Sequence, residues 1–260
     1  MTPANRRLRA LGATSLRLAR TVASLGPAEL AAPSGAEGWS IARVLSHLGS
    51  GTEVCTGLVA RGLAGDTRGP DRRDMLAVGA RWDALSPWAQ RDAWLQADRR
   101  HRELLGSLGE AELRTARVPY PTGLLDVAGY LGHRLSEQAL RAWDIEVALD
   151  ASATVPPAET ALLWERIDLV AGRYCDADTR ARLAPHRIRV RLTDTGRTLF
   201  LDIGEELHLF PVEPVDPTGL LAGPAEAVLR LLHGRGRPTD PVTTEGPVTV
   251  DDLRALFPGL

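Results

Sequence analysis

The stretch that most constrains this chain is residues 132–149, GHRLSEQALRAWDIEVAL. Wound at about 3.6 residues per turn, it puts Arg134, Glu137, Gln138, Arg141, Asp144 and Ile145 in one arc. Leu131, Leu135, Ala142 and Leu149 flank that arc on one side, and Leu140, Trp143 and Val147 on the other. A narrow polar stripe thus runs down a largely apolar helix. Two readings stay open. As a solvated face, the stripe holds opposite charges at i,i+3 and i,i+4 (Arg134/Glu137, Glu137/Arg141, Arg141/Asp144), and charged stripes ordinarily face water. If the apolar flanks pack against other helices, the stripe instead looks into a cavity, where Glu137 is a ligand or an acid/base. The second reading needs a partner elsewhere in the chain.

The preceding residues also read as helices. Leu8, Leu11, Leu16, Leu18, Val22 and Leu25 give a rough helical repeat that Gly26-Pro27 stops. Ser40 is placed to cap a second helix whose apolar face is Ile41, Val44, Leu45, Leu48, Cys55 and Val59, with His47 on its shoulder. A shoulder histidine is ordinarily a packing-boundary residue bonded to water or a carbonyl. A third helix is expected over 72–108, interrupted at Ser86-Pro87, with ADRRHRE and its His101 on a solvated face. A short extended piece at Val118-Pro119-Tyr120-Pro121 precedes a fourth helix starting near Leu124. Four helices with moderate loops predict an antiparallel bundle over residues 1–150, whose sites are built from inward side chains of facing helices.

The pattern changes at the Ala/Pro-rich DASATVPPAE. Residues 160–174 read as a helix, and HRIRVRLTDTGRTLFLDI alternates on either side of Asp194-Thr195-Gly196, a β-hairpin signature. LHLFPVEP reads as a third strand, AEAVLRLLHGR as a helix, and VTVDDLRALFPGL as a strand fragment or turn followed by a short helix. Residues 151–260 are therefore expected to form a smaller α+β domain around an antiparallel sheet.

Bulk chemistry narrows the function. With 260 residues, 25% charged and a net charge of −2, nothing points to nucleic acid or an anionic membrane, and the expected partner is a small-molecule substrate. All 31 basic residues are Arg, which excludes a lysine Schiff base or a P-loop lysine. Two cysteines, Cys55 and Cys175, make no disulfide framework, and both are expected to be inert. No run approaches the roughly 20 apolar residues of a membrane span, and the N-terminus lacks a signal-peptide core, so a cytoplasmic protein, monomer or homodimer, is expected. His186, His208 and His233 are scattered without ligand spacing.

Taken together, Trp39-x7-His47-Leu48, Arg134-x2-Glu137-x6-Asp144, GPAEAVLRLLHGR and the DLRALFPG ending resemble the actinobacterial mycothiol-dependent maleylpyruvate isomerase-like proteins. These are a branch of the DinB-like four-helix-bundle superfamily with a sterol-carrier-like C-terminal domain. The resemblance implies a thiol-dependent isomerase or S-transferase acting on a small electrophilic metabolite, with mycothiol as cofactor. It also implies that His47 and Glu137 point into the bundle and ligate a divalent metal, commonly zinc, which would bind the incoming sulfur and lower its pKa.

One position departs from that pattern. The family's Glu-x-x-x-His places an imidazole one turn after the carboxylate, and here that place holds Arg141, which cannot ligate a metal. His133, one turn before Glu137, is an alternative donor on a different edge of the stripe. Arg141 suits an anion instead, with Arg134 and Trp39 as further substrate-binding candidates and His47 as the acid/base near neutral pH. Three readings follow: a thiol-dependent transferase or isomerase centred on His47, Glu137 and Arg141; a metal-free enzyme of specialised metabolite biosynthesis on the same scaffold; or a non-catalytic small-ligand-binding protein with a structural Glu137–Arg141 pair.

Overall fold

Short polar residues set the helix starts. In the computed structural model, which describes residues 1–211 and 216–259, the chain divides into two units, Met1–Val155 and Pro156–Leu260. The first opens with α1 (Pro3–Ala23), capped by Thr2, whose hydroxyl accepts from the Asn5 amide at 3.2 Å. After α2 (Pro27–Ala31), Ser40 caps α3 (Ile41–Leu63) as its sequence position suggests, accepting from the Arg43 amide at 3.1 Å. The run expected over 72–108 is two helices, α4 (Arg72–Asp83) and α5 (Pro87–Gly106). Ser86 caps the second of these and Pro87 takes its first position, where a missing N–H costs nothing.

A short α6 (Glu110–Thr115) leads into a hairpin of β1 (Arg117–Tyr120) and β2 (Gly123–Asp126), paired antiparallel with Val118 opposite Leu125. The extended piece expected at Val118 is thus half of a two-stranded ribbon, and Leu124 belongs to its other strand. α7 (Val127–Leu149) begins only after Asp126, whose carboxylate accepts from the Gly129 amide at 2.6 Å.

The long helices α1, α3, α5 and α7 pack as the four-helix bundle: α3 lies against α5 and α7, and α1 against α7. Leu18, Ile41, Leu45, Leu48, Trp94 and Ile145 are fully buried together at its centre. Packing is tightest where Gly49 of α3 meets the indole of Trp82, which leaves no space for a Cβ. No helix among the described residues is long and apolar enough to cross a membrane.

The second unit carries α8 (Pro157–Trp164), α9 (Ile167–Tyr174) and α10 (Ala177–Leu183). The single helix expected over 160–174 is broken at Glu165-Arg166 into the first two. Strands β3 (His186–Leu192), β4 (Thr198–Ile203), β5 (Leu207–Phe210) and β6 (Gly219–Gly223) follow, then α11 (Ala225–Leu232), β7 (Thr243–Glu245) and α12 (Val250–Leu256). The sheet order is β5-β4-β3-β6-β7. The hairpin around Asp194-Thr195-Gly196 pairs Val190 with Leu199, and the buried Ile188, Val190 and Leu192 line one face of β3. The antiparallel sheet expected here carries one parallel pairing, β3 with β6, in which Val190 lies opposite Leu221. A long connection between the two strands permits that direction. The end of the strand expected from LHLFPVEP, at 212–214, lies outside the described residues.

Replacing Gly49 with alanine drives a methyl into the Trp82 ring. The Gly49→Ala variant is expected to lose about 1–3 kcal/mol of unfolding free energy in urea titrations despite its higher helix propensity.

Candidate active site

The stripe on α7 is an interior surface. Arg134, Gln138, Arg141 and Asp144 are all buried, because Leu131, Leu135 and Ala142 beside them are buried too and turn that face inward. Glu137 is half-buried, and its Oε1 meets Nε2 of His47 on α3 at 2.8 Å. The partner that the cavity reading of the stripe requires is therefore His47.

Behind this contact the charges continue inward. Arg141 Nε donates to Glu137 Oε1 at 3.1 Å, and its NH1 donates to Asp144 Oδ2, also at 3.1 Å. Asp144 is fully buried and Arg141 is 3% exposed. Trp39 holds this group from the side. The Arg141 guanidinium lies 4.9 Å from its ring centroid, that of Arg43 5.4 Å, and the His47 ring is tilted against it at 5.1 Å. Burial pushes the Glu137 carboxyl up, but the His47 hydrogen bond and the charges of His47, Arg141 and Arg134 outweigh it. Glu137 is held well below the usual carboxylate range.

His47 and Glu137 open on a cleft of about 240 Å³ lined also by Ser50, Cys55, Met75, Tyr120 and Arg134. A second hollow of about 200 Å³ shares Val54, Leu58 and Met75 with it and extends past Glu53, Arg61 and Asp74. Arg141 and Trp39 do not line either space. The anion-binding position expected for Arg141 is taken by Glu137 and Asp144, and Trp39 packs against the charge chain rather than facing the cleft. Of the substrate-binding candidates, Arg134 is the one on the cleft wall. His133 stacks on Tyr120 with ring centroids 5.1 Å apart.

Sequence reasoning missed the layer beneath the cleft. His101, expected on a solvated face, is 3% exposed, with Nδ1 at 2.9 Å from Thr56 Oγ1 and Nε2 at 2.9 Å from the Tyr130 hydroxyl. Its spacing from Trp94, Ala97 and Leu105 was the available signal, since these four are one helical face. Burial, helped by the charge of Arg134, pushes His101 down to about 3, so it is neutral. Cys55 lies against Tyr130 and Arg134, and burial pushes its thiol up despite Arg134, in keeping with an inert sulfur.

Residues 11–146, more than half of the chain, match the family of the mycothiol maleylpyruvate isomerase N-terminal domain. The chain belongs to this family. Two crystal structures, of the mycothiol-dependent maleylpyruvate isomerase and of a histidine-to-alanine mutant of it, share the fold of this family member. For each the TM-score is 0.69 at 18% identity, over 95% of both chains. Among curated proteins no relative matches.

The metal that such a family implies does not fit the donors of this member. An open zinc site keeps about three protein ligands. Here His47 and Glu137 bond each other, and the third group at that carboxylate is a guanidinium, which repels a cation. Among the described residues no three His, Cys, Asp or Glu side chains stand together as a metal site.

Two outcomes follow from this geometry. The Arg141→Met variant leaves buried Asp144 without its guanidinium and is expected to cost about 3–5 kcal/mol in chemical denaturation, whereas the double variant Arg141→Met/Asp144→Leu recovers most of that loss. Neutral, buried His101 must bind a proton on unfolding below its ordinary value of about 6.5, so its folded-state pKa lies below the unfolded one. Stability is then complete above pH ~6.5 and is lost as pH falls toward ~3, by about 2 kcal/mol at pH 5. Urea titrations at pH 7.5 and 5 show this decline in the wild type, and the His101→Gln variant loses that share of it.

Proposed function

We propose that this protein is a thiol-dependent isomerase or S-transferase that uses mycothiol or a related low-molecular-weight thiol to act on a small electrophilic metabolite, with a histidine in place of a metal as the activator of the thiol. The observation that carries this reading is the His47–Glu137 hydrogen bond at the edge of the cleft. An ionised carboxylate only accepts, so Nε2 carries the hydrogen, and the lone pair of the ring's neutral form lies on Nδ1. Glu137 thus does for His47 what the carboxylate of a catalytic triad does: it selects the tautomer and stabilises the imidazolium. Arg141 and Asp144 keep Glu137 ionised and in place.

The chemistry follows. His47 Nδ1 takes the thiol proton, and the thiolate adds to an activated double bond, forming a C–S bond as the π electrons move to the activating carbonyl. In an isomerisation the former double bond rotates as a single bond, the electrons return, the C–S bond breaks and His47 gives the proton back to sulfur. In an S-transfer the C–S bond stays and the proton passes to carbon. Two adjoining hollows that share Val54, Leu58 and Met75 suit two molecules meeting at one place.

The test combines metal content with turnover. Untagged protein purified without chelator is analysed for metals and assayed with mycothiol and activated enoic acids that bear a single carboxylate. The expected result is far less than one metal per chain, together with thiol-dependent conversion that survives chelator and falls about 10²- to 10⁴-fold in His47→Ala and in Glu137→Gln. Stoichiometric zinc whose removal abolishes activity, or turnover indifferent to thiol or to His47, overturns the proposal.

A further inference from the structure

The described residues include four buried arginines. Three of them are neutralised by carboxylates: Arg91 by Asp92, Arg141 by Glu137 and Asp144, and Arg230 by Glu226 and Asp240. Arg134 is different. It is 3% exposed, yet no carboxylate among the described residues is in ion-pair contact with it. Its NH2 donates to the Thr52 hydroxyl at 2.9 Å, its flank rests near the Cys55 sulfur, and its Nε is buried without a partner. A guanidinium cannot shed its proton to escape this position, so the fold carries a buried positive charge offset only by neutral dipoles and by Glu137 farther along the same helix.

The same side chain lines the cleft beside His47 and Glu137. Access to it depends on Gly51 of α3. A Cβ at that position would meet one atom group only, Arg134 NH1 at 3.6 Å, so the glycine leaves room beside the guanidinium on its cleft side. A buried cation on the wall of a small cleft, without a described carboxylate paired to it, is half of a charge-assisted pair. The missing half carries one negative charge, because Glu137 nearby already supplies another and disfavours a dianion. The flanking Val54, Leu58 and Met75 favour an apolar body of few carbons behind that charge.

We propose that Arg134 is the anchor for the carboxylate of a small, singly charged carboxylic acid, and that Gly51 is the gap through which the carboxylate reaches it. This deepens the catalytic reading above, on which it rests for the identity of the ligand as substrate: an acid held at Arg134 has its carbon chain beside His47 and Glu137. Arg134 is then the residue that selects an anionic electrophile over a neutral one.

Binding is measured without any thiol, so the outcome is independent of turnover. The probe is crotonate, with crotonamide as the neutral isostere and inorganic phosphate as the dianionic comparator, followed by ligand-observed NMR and thermal shift on the full chain. The expected result is saturable crotonate binding by wild type. Crotonamide binds at least about tenfold more weakly, and crotonate binding drops at least about tenfold in Arg134→Gln. Arg134→Gln also removes a buried contact with Thr52, so Gly51→Val is the second variant: it leaves Arg134 in place, covers NH1, and is expected to remain folded by circular dichroism while losing crotonate binding. Equal binding of crotonate and crotonamide, tighter binding of phosphate than of crotonate, or unchanged crotonate affinity in folded Gly51→Val overturns the proposal. Retained crotonate binding with no thiol-dependent turnover leaves the anchor standing and removes the catalytic reading.

Discussion

The site depends on one carboxylate held between an imidazole and a guanidinium. Glu137 accepts from His47 on α3 and from Arg141 one turn along α7, and Arg141 is anchored by Asp144 beneath it. Taken singly, each buried charge is costly, and burying Arg141 alone would be prohibitive. Taken as a chain, the charges alternate from the bundle interior to the edge of the cleft, so each is compensated by its neighbours. The apolar flanks of α7 can then be sealed against α1 and α3 without stranding a charge.

That arrangement shows how a scaffold of this family can hold a histidine against a carboxylate that a guanidinium also satisfies. A divalent ion and a guanidinium satisfy the same carboxylate in different ways. The ion brings open coordination positions, whereas the guanidinium brings fixed donors and leaves none. With Arg141 present, the positive charge beside Glu137 is permanent, and in the proposed mechanism the chemistry moves to the imidazole. Trp39, packed against Arg141, Arg43 and His47, restricts the two groups that have the most freedom to swing away from Glu137.

The contrast between Arg141 and Arg134 is instructive. They lie two turns apart on one helix, are equally buried, and differ in what the neighbouring helix offers. Arg141 has two acids within reach on α7 itself. Arg134 faces Thr52, Cys55 and the glycine at 51, none of which carries a compensating charge. Local spacing produces the first pairing; the second position is shaped by α3.

The helices, the Ser86-Pro87 break and the hairpin at Asp194-Thr195-Gly196 were legible in the sequence because caps, prolines and periodicity act within a few residues. So were the polar groups that the structure joins by hydrogen bonds: His47, Glu137, Arg141 and Asp144 all stand out on apolar helices. What the sequence could not decide was direction. Whether the α7 stripe met water or protein, whether His101 was solvated or buried, and which arginine reached the cleft depend on how α3, α5 and α7 rotate against one another. Helical periodicity is the same for a face turned outward and a face turned inward around a cavity, and only the packing of Leu131, Leu135 and Ala142 against neighbouring helices breaks that symmetry. The sequence by itself determined which charges are available and which lie one turn apart; the tertiary structure decided which were buried, which were paired and which line the cleft.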